Sequence, residues 1–244
     1  MLKAITLDFW NTLFVDHRGR EREARRAACL RSELGALGLA RSDAELADSF
    51  AVGFEYFERI WRAEMRTPDS AEIVDVVLEG LRARLPQAAR ARILTTFDDL
   101  ILEFPPEPLP RARETLEALA ARYKLAVICD AGFSSGRVLR QLLVRHDMVA
   151  PFEYLYFSDE GGMSKPDPRV FHFVLEKLGV HAQEAAHVGD MERTDIAGAH
   201  AAGMLAVLFV GASAHDAAGS TADLVVQRFA DLPAVVGGLV CPGC

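Results

Sequence analysis

The alternation of two hydrophobic patterns after residue 110 constrains the fold of this chain more than any other feature. Short apolar runs are followed by amphipathic segments with helical spacing. The predicted helices are 111–122, 135–145, 168–178 and 194–202, and the predicted strands are 125–129, 154–157, 185–188 and 205–210. Strands joined through helices require crossover connections, which favour a parallel sheet. The sequence therefore predicts an α/β core with a Rossmann-like parallel sheet.

A lone strand and a long helical stretch precede this alternation. Residues 3–9 form a short apolar run that ends beside an acid and is a predicted buried strand, whereas residues 18–104 have helical spacing. Ser42 and Glu45 have the spacing of a capping box at the start of one of these helices. Apolar side chains recur from Leu46 to Met65 every three or four residues. We interpret them as core packing, and any that face the sheet as the lining of a substrate pocket.

The proline-rich segment Pro105–Pro110 separates the helical stretch from the alternating half and is predicted to be a stiff extended linker. We expect an α/β core formed by residues 1–14 and 106–244, with residues 15–105 inserted as a helical cap. Ligands of open α/β sheets bind at the carboxyl ends of the strands. Because the insertion leaves the core at that edge, we expect it to cover the site. The alternative is a separately packed bundle with no role in the chemistry.

Charge and composition limit the function classes. The chain has 244 residues and a net charge of −8, which argues against a nucleic-acid surface. No apolar run approaches the roughly 18 residues of a membrane span, and no signal peptide is evident. Four cysteines in a chain of this length do not indicate a disulfide framework, so we expect a cytoplasmic protein. Cys241 and Cys244 supply two ligands where structural zinc needs four, and we interpret them as a tail.

Three carboxylates and one ammonium follow separate predicted strands. Asp8 ends the first strand, Lys165 opens the segment Lys-Pro-Asp-Pro, and Asp190 and Asp195 follow the predicted strand at 185–188. Each could serve only as a turn, a cap or a surface charge. Lysine is rare here, however, with four lysines among 27 basic residues. A carboxylate nucleophile, a lysine and acidic metal ligands suit magnesium-dependent attack on phosphorus.

The combined pattern resembles the haloacid dehalogenase-like (HAD) hydrolase superfamily. The matching residues are Asp8 with Thr12 and Leu13, the segment Lys165-Pro166-Asp167-Pro168, and Gly189-Asp190 with Asp195. The resemblance covers the core, and the insertion is similar to the helical cap that this family places between its first and second motifs. It implies that Asp8 forms an aspartyl-phosphate that water hydrolyses, and that Lys165 stabilises charge. It also implies that Mg²⁺ is held by Asp8, the main-chain carbonyl of Trp10, Asp190 and Asp195.

The same resemblance implies a small phosphorylated substrate. From the charge and the apolar runs we expect no nucleic acid or membrane partner. The phosphate-binding residues it implies are Thr12, Cys129, Asp130 and Lys165. Cys129 stands where the family has serine or threonine, and a thiol is a weak hydrogen-bond donor. Main-chain N–H groups of the loop or Ser134 could bind phosphate instead, and Cys129 could equally be a buried strand residue.

Trp10 is the main departure from the family pattern. Family phosphatases have an acid here that protonates the leaving group, and such catalysis contributes about 10²- to 10⁴-fold in rate. The substrate could have a leaving group that needs no proton, or Asp16 or His17 could replace the acid. Two alternatives to a phosphatase remain: a 2-haloacid dehalogenase that uses Asp8 on carbon, and a phosphate- or metabolite-binding protein with vestigial activity. The intact acidic set argues against a metal-free dehalogenase.

Overall fold

The computed structural model describes residues 1–213 and 218–239. Its strands are β1 (Ala4–Leu7), β2 (Phe14–Val15), β3 (Glu107–Pro108), β4 (Lys124–Cys129), β5 (Phe152–Phe157), β6 (Ala185–Gly189), β7 (Leu205–Phe209) and β8 (Leu224–Val226). Its α-helices are α1 (Gly19–Ala36), α2 (Asp43–Glu64), α3 (Ser70–Gly80), α4 (Gln87–Glu103), α5 (Ala112–Ala120), α6 (Gly136–Arg145), α7 (Ser158–Gly161), α8 (Pro168–Leu178), α9 (Ala197–Ala201) and α10 (Leu232–Val235). Cys241 and Cys244 lie outside the described residues.

Six parallel strands form the central sheet, in the order β5-β4-β1-β6-β7-β8. All four residues of β1 are buried, as expected for a strand covered on both faces. Leu7 pairs with Val127 on one side and with Val188 on the other. This register brings the residues that follow β1, β4 and β6 to the same edge of the sheet. The structure confirms the predicted α/β fold with a Rossmann-like parallel sheet.

Helices cover both faces of the sheet, because alternate residues of each strand point to opposite sides. Ile5 and Leu7 pack in the apolar cluster that also contains buried residues of α5, α6 and the C-terminal helix α10. Ala4 belongs to the opposite cluster, whose helical residues come mainly from α8. The core of the sheet is therefore a three-layer α/β/α packing.

The helices α1–α4 lie between β2 and β3 and share a separate apolar cluster. β2 and β3 pair antiparallel where the chain leaves the sheet region and returns to it, so the predicted extended linker contains a short strand. Ser42 and Glu45 form the predicted capping box at the start of α2. The predicted apolar stripe of α2 does not form one buried face: Phe54 is 57% exposed, whereas Ser49 and Gly53 are buried.

The structure also differs from the sequence predictions after β6 and at the edge of the sheet. The helix predicted from residue 194 begins as a π-helical turn at Glu192–Ile196, in which the carboxylate of Asp195 bonds back to the main-chain N–H of Met191. β8 was not predicted, because this edge strand is three residues long and only Val226 is buried. None of the helices in the described residues is long and apolar enough to cross a membrane.

Candidate active site

The carboxyl ends of β1 and β6 bring together the predicted acidic residues. Asp8 follows β1 directly, and Asp190 and Asp195 follow β6. One oxygen from each of these three carboxylates lies within 4.8 Å of the others. Asp8, Asp190 and Asp195, which we name the acidic cluster, are all buried. Like charges at this spacing repel strongly at low dielectric, so the cluster requires nearby cations.

Lys165 supplies one of those cations. Its Nζ donates hydrogen bonds to Oδ1 of Asp8 and, at 2.7 Å, to Oδ1 of Asp195. Burial opposes the charge on this lysine, but Asp195 and Asp8 outweigh it and raise the pKa of Lys165 well above its ordinary value. Burial also raises the pKa of Asp8, against the opposing effect of Lys165. The ammonium is therefore held in its charged form between two carboxylates.

Asp195 is the most firmly fixed member of the acidic cluster. Its Oδ1 lies 3.1 Å from Nε2 of His187, whose Nδ1 is 2.8 Å from the Thr6 hydroxyl, and its Oδ2 accepts from the N–H of Met191 at 2.9 Å. Burial raises its pKa, but Lys165 and His187 outweigh burial and hold the pKa of Asp195 below its usual range. A Cβ atom on Gly189 would lie 2.2 Å from Cγ of Asp195. Only glycine leaves room for this carboxylate.

Asp190 is held by a residue of the loop after β1. Nδ2 of Asn11 donates to Oδ2 of Asp190 at 3.0 Å. Asn11 has φ 54°, in the left-handed region that asparagine tolerates better than most residues. Burial raises the pKa of Asp190 to about 6, and the charge on Asp195 adds to the effect.

The donor set of the acidic cluster fits a hard divalent cation such as Mg²⁺, which binds carboxylate and carbonyl oxygens and keeps several water ligands. The cluster offers only oxygen ligands, on two adjacent loops. The Trp10 carbonyl, named above as a further ligand, is a main-chain group, so the indole at this position does not remove it.

A cavity of about 300 Å³ opens over the acidic cluster, and we name it the first cavity. Its lining includes Asp8, Lys165 and Asp130 from the sheet side and Phe57 and Trp61 from α2. Two half-buried aromatic residues of the α2 stripe thus line the same cavity as the predicted catalytic residues.

Trp10 forms part of the wall of the first cavity, where a family phosphatase has an acid. The two proposed replacements for that acid do not line this cavity. Asp16 is paired with Arg22 on the other side of Trp10, and His17 is exposed. Phe9 packs edge-on against the indole, with ring centroids 5.1 Å apart.

Two predicted phosphate-binding side chains lie outside the first cavity. Thr12 is fully buried, and its hydroxyl has no hydrogen-bond partner among the described residues. Cys129 is a fully buried strand residue, and burial raises the pKa of its thiol well above the ordinary value. Ser134, the alternative donor, does line the cavity.

Asp130 connects the loop after β4 to Lys165 and to α2. Its Oδ1 accepts from the main-chain N–H of Lys165 at 3.0 Å, and its Oδ2 accepts from Nε1 of Trp61 at 2.8 Å. The guanidinium of Arg193 lies 4.0 Å from the centre of the Trp61 ring. Burial raises the pKa of Asp130. The loop that contains Lys165, which we name the lysine loop, is thus linked to α2 and to the π-helical turn through Asp130 and Trp61 at the mouth of the cavity.

A family model for haloacid dehalogenase-like hydrolases matches residues 2–203 of the chain. The chain belongs to this hydrolase family. It is 43% identical over 177 residues to a phosphoserine phosphatase of Thermus thermophilus, a match that covers 64% of this chain and 65% of that protein. It is 32% identical over 148 residues to haloacid dehalogenase-like hydrolase domain-containing protein 3 of Mus musculus, covering 59% and 57% of the two chains. The chain therefore spans less than two thirds of the length of these curated relatives.

The fold of this HAD-like hydrolase is similar to that of a 2-haloacid dehalogenase from Pseudomonas syringae pv. Tomato DC3000. The TM-score is 0.72, with 24% identity, and the match covers 98% of this chain and 99% of that structure. At this identity the likeness shows the fold. Together with the family match, it confirms the resemblance inferred from the motifs and the expectation of an enzyme of the hydrolase class.

Sequence reasoning missed three residues that organise this site in the HAD-like hydrolase. They are Asn11, which bonds Asp190, His187, which contacts Asp195, and Trp61, which bonds Asp130. His187 is a polar residue inside an otherwise apolar strand, and this signal was available in the sequence. Trp61 belonged to the α2 stripe, but its bond to a loop some 70 positions away could not be inferred from spacing.

Proposed function

We propose that this HAD-like hydrolase is a Mg²⁺-dependent phosphatase that removes phosphate from a small metabolite through an aspartyl-phosphate on Asp8. The observation that carries the proposal is the acidic cluster beside the buried Lys165, at the floor of a cavity large enough for a small ligand. The phosphatase names of relatives such as the Thermus thermophilus protein support the same class of reaction. We also propose that residues 15–105 act as a cap over a core of residues 1–14 and 106–244.

In the proposed reaction, one oxygen of Asp8 attacks phosphorus, and the bond between phosphorus and the leaving oxygen breaks with its electron pair on that oxygen. Water then attacks the phosphorus of the aspartyl-phosphate, and the bond between phosphorus and the Asp8 oxygen breaks with its electron pair on the restored carboxylate. The proton that the water loses passes to solvent as inorganic phosphate is released. Mg²⁺, held by Asp8, Asp190, Asp195 and the Trp10 carbonyl, would supply charge stabilisation to the transferring group. Lys165 keeps a fixed positive charge beside the nucleophile, which favours approach of an anionic phosphate.

Trp10 determines which leaving groups the proposed enzyme can use. Indole carries no transferable proton at neutral pH, so an alkoxide would have to leave without a general acid. The missing contribution is about 10²- to 10⁴-fold for an alcohol, and much smaller for an acyl phosphate or a phenol, whose leaving groups are weak bases. We therefore propose that the enzyme favours substrates with good leaving groups.

The test is release of inorganic phosphate from acetyl phosphate and from p-nitrophenyl phosphate, with Mg²⁺ or with EDTA, for the wild type and for Asp8→Asn. The asparagine keeps the shape of the side chain and removes the nucleophilic charge. We expect release that depends on Mg²⁺, is faster for acetyl phosphate, and is lost in the variant. Release that survives Asp8→Asn would contradict the proposal.

The principal rival is a 2-haloacid dehalogenase, in which Asp8 attacks carbon and halide leaves without a proton. The aromatic Trp10 is the observation that favours it. Halide release from 2-chloropropionate by the wild type in EDTA, without phosphate release from acetyl phosphate or p-nitrophenyl phosphate, would favour this rival over the phosphatase.

A further inference from the structure

A second cavity lies beyond Trp10, on the side away from the acidic cluster. Its volume is about 590 Å³, and it lies between the start of the helical region and the loop after β4. Trp10, Phe133 and Ser134 line both this second cavity and the first cavity. The two cavities therefore adjoin at these three residues, so the second cavity is the neighbouring space for the part of a ligand that lies beyond Trp10.

The second cavity contains an arginine without a hydrogen-bonding partner. Arg26 of α1 makes no hydrogen bond or ion pair with any residue in the described parts of the chain, and its Nε is fully buried. Its guanidinium stacks on Phe133 at 4.4 Å from the ring centre and lies 5.9 Å from that of Phe97. These rings fix the plane of the guanidinium but satisfy none of its N–H groups. A buried N–H donor without an acceptor costs stability, so the position of Nε suits a group that accepts a hydrogen bond from it.

Arg22, the neighbouring arginine on the same helix, is paired within the protein. Arg22, one helical turn earlier, pairs with Asp16 and donates to the main-chain oxygen of Phe104 at 2.8 Å. Burial and the charge of Arg22 lower the pKa of Arg26 to about 10, which leaves Arg26 protonated at neutral pH. Of these two cavity arginines, one is neutralised by the protein and one keeps its charge for a ligand.

We infer that the second cavity is a subsite for a carboxylate carried by the substrate, with Arg26 as its bidentate partner. The inference rests on the proposed phosphatase function, which places the phosphate over Asp8. A planar guanidinium pairs with the two oxygens of a carboxylate through parallel hydrogen bonds. The acids Asp16 and Glu23 also line this cavity, and they disfavour a doubly charged second phosphate. Asp16 is paired with Arg22, and Glu23 is exposed and makes no hydrogen bond with Arg26, so the Arg26 guanidinium is available to pair with one carboxylate.

The walls of the second cavity define the rest of the substrate class. Trp10, Phe50, Phe54 and Phe133 contribute aromatic surface to its lining, and Trp10 and Phe133 also line the first cavity. Such a surface favours apolar atoms over hydroxyl groups, which would lose their hydrogen bonds to water. The subsite therefore selects phosphate esters with a short apolar chain or ring that ends in a carboxylate.

The test compares carboxylated and plain ligands in two readouts. The first is Mg²⁺-dependent phosphate release from 4-carboxyphenyl phosphate and phenyl phosphate, together with a series of ω-carboxyalkyl phosphates and matching alkyl phosphates. The second is calorimetric binding of the ω-carboxyalkyl phosphonates and alkyl phosphonates, which cannot be hydrolysed. The variants are Arg26→Gln, which removes the charge, Arg26→Lys, which keeps it, and Arg20→Gln, an exposed arginine of the same helix, as the control.

For the wild type we expect the carboxylate to improve kcat/KM and affinity by about 10- to 100-fold at the best chain length, as for a hydrogen bond between charged groups. Arg26→Gln removes this preference and leaves the plain ligands unchanged, Arg26→Lys keeps part of it, and Arg20→Gln keeps all of it. A loss shared by carboxylated and plain ligands would mean that Arg26 only supports the fold, and it would overturn the subsite. Equal affinities in the wild type and Arg26→Gln would also overturn it.

Failure of the proposed function gives a different result. If the wild type hydrolyses none of the esters, the phosphatase proposal is wrong, whereas the phosphonate titrations still decide whether Arg26 binds a carboxylate.

Discussion

The sheet edge and the second cavity differ in whether their charged side chains are paired within the protein. At the sheet edge, Lys165 pairs with Asp8 and Asp195, and Asn11 bonds Asp190. In the second cavity, Arg26 stacks on aromatic rings and makes no hydrogen bond with any residue that the structure describes. The sheet edge is complete before any substrate arrives, which suits groups that must have a fixed geometry for chemistry. The charge left unpaired between helices and loop suits a site that its ligand completes.

Replacement of Lys165 by methionine is the strongest test of the paired sheet edge. It leaves Asp8 and Asp195 buried without their cation, and breaking a buried ion pair costs about 3–5 kcal/mol. We expect the free energy of unfolding in EDTA, measured by urea titration, to fall by about this amount, and by less in Mg²⁺, because the ion would replace part of the charge. Lys177→Met, at an exposed lysine of α8, is the control. An equal loss with and without Mg²⁺ would contradict cation binding at the cluster.

Gly189→Ala tests whether the position of Asp195 depends on the absence of a Cβ atom at residue 189. The added methyl group would meet Cγ of Asp195 at 2.2 Å, and such overpacking typically costs about 1–3 kcal/mol. We expect lower stability and slower phosphate release, because the carboxylate must move away from Lys165. Gly35→Ala on α1, where an added Cβ meets nothing within 4 Å, should instead keep or raise the melting temperature. Unchanged activity in Gly189→Ala would argue against a fixed Asp195.

Lowering the pH should weaken the binding of Mg²⁺ at the sheet edge. Burial raises the pKa of Asp190 to about 6 in the metal-free protein, and a cation must displace any proton bound there. As pH falls through 6, Asp190 becomes protonated, and the apparent Mg²⁺ affinity should drop about tenfold per pH unit for this proton. Calorimetric Mg²⁺ titrations between about pH 7 and about pH 5 measure the effect. Asn11→Ala removes a bond that lowers this pKa and should move the onset to higher pH, whereas a flat profile would contradict the role of Asp190.

Trp61→Phe gives the smallest expected effect and tests the contact between α2 and the sheet edge. It removes the Nε1 hydrogen bond to Asp130 but keeps a ring beneath Arg193. Loss of one such bond costs about 1 kcal/mol. We expect a small fall in melting temperature and a rise in KM, because the lysine loop is less firmly held. Phe57→Leu, which changes the same wall of the cavity without a polar bond, serves as the matched variant; the same rise in KM in both would assign the effect to packing alone.

The sequence predicted the sheet edge well because its geometry follows from strand order. Asp8 and Asp190 each come after a short apolar run, and parallel strands carry such residues to one edge. The alternation of strands and helices also predicted the fold class. Local sequence patterns did not predict β8, which is a short strand at the edge of the sheet. They also did not predict the π-helical turn Glu192–Ile196, whose conformation depends on the hydrogen bonds of Asp195.

The helical region was predictable as helices but not as a binding surface. The spacing of α2 suggested one apolar face, yet Phe54 is exposed in the second cavity whereas Ser49 and Gly53 are buried against α3. Nothing in the spacing of α1 distinguishes Arg26, which makes no hydrogen bond within the described residues, from Arg22, which bonds both Asp16 and Phe104. Which side of a helix faces a cavity depends on how the helices cross, and that is a property of tertiary packing rather than of local sequence.

The central claim is that Asp8 becomes phosphorylated, and mass spectrometry of the acid-quenched enzyme tests it most directly. Wild-type protein mixed with acetyl phosphate and Mg²⁺ should carry a phosphoryl group on the peptide that contains Asp8, and hydroxylamine should remove it. The label should be absent in EDTA and in Asp8→Asn. An unmodified Asp8 peptide during steady phosphate release, or a phosphoryl group on another residue, would contradict the account.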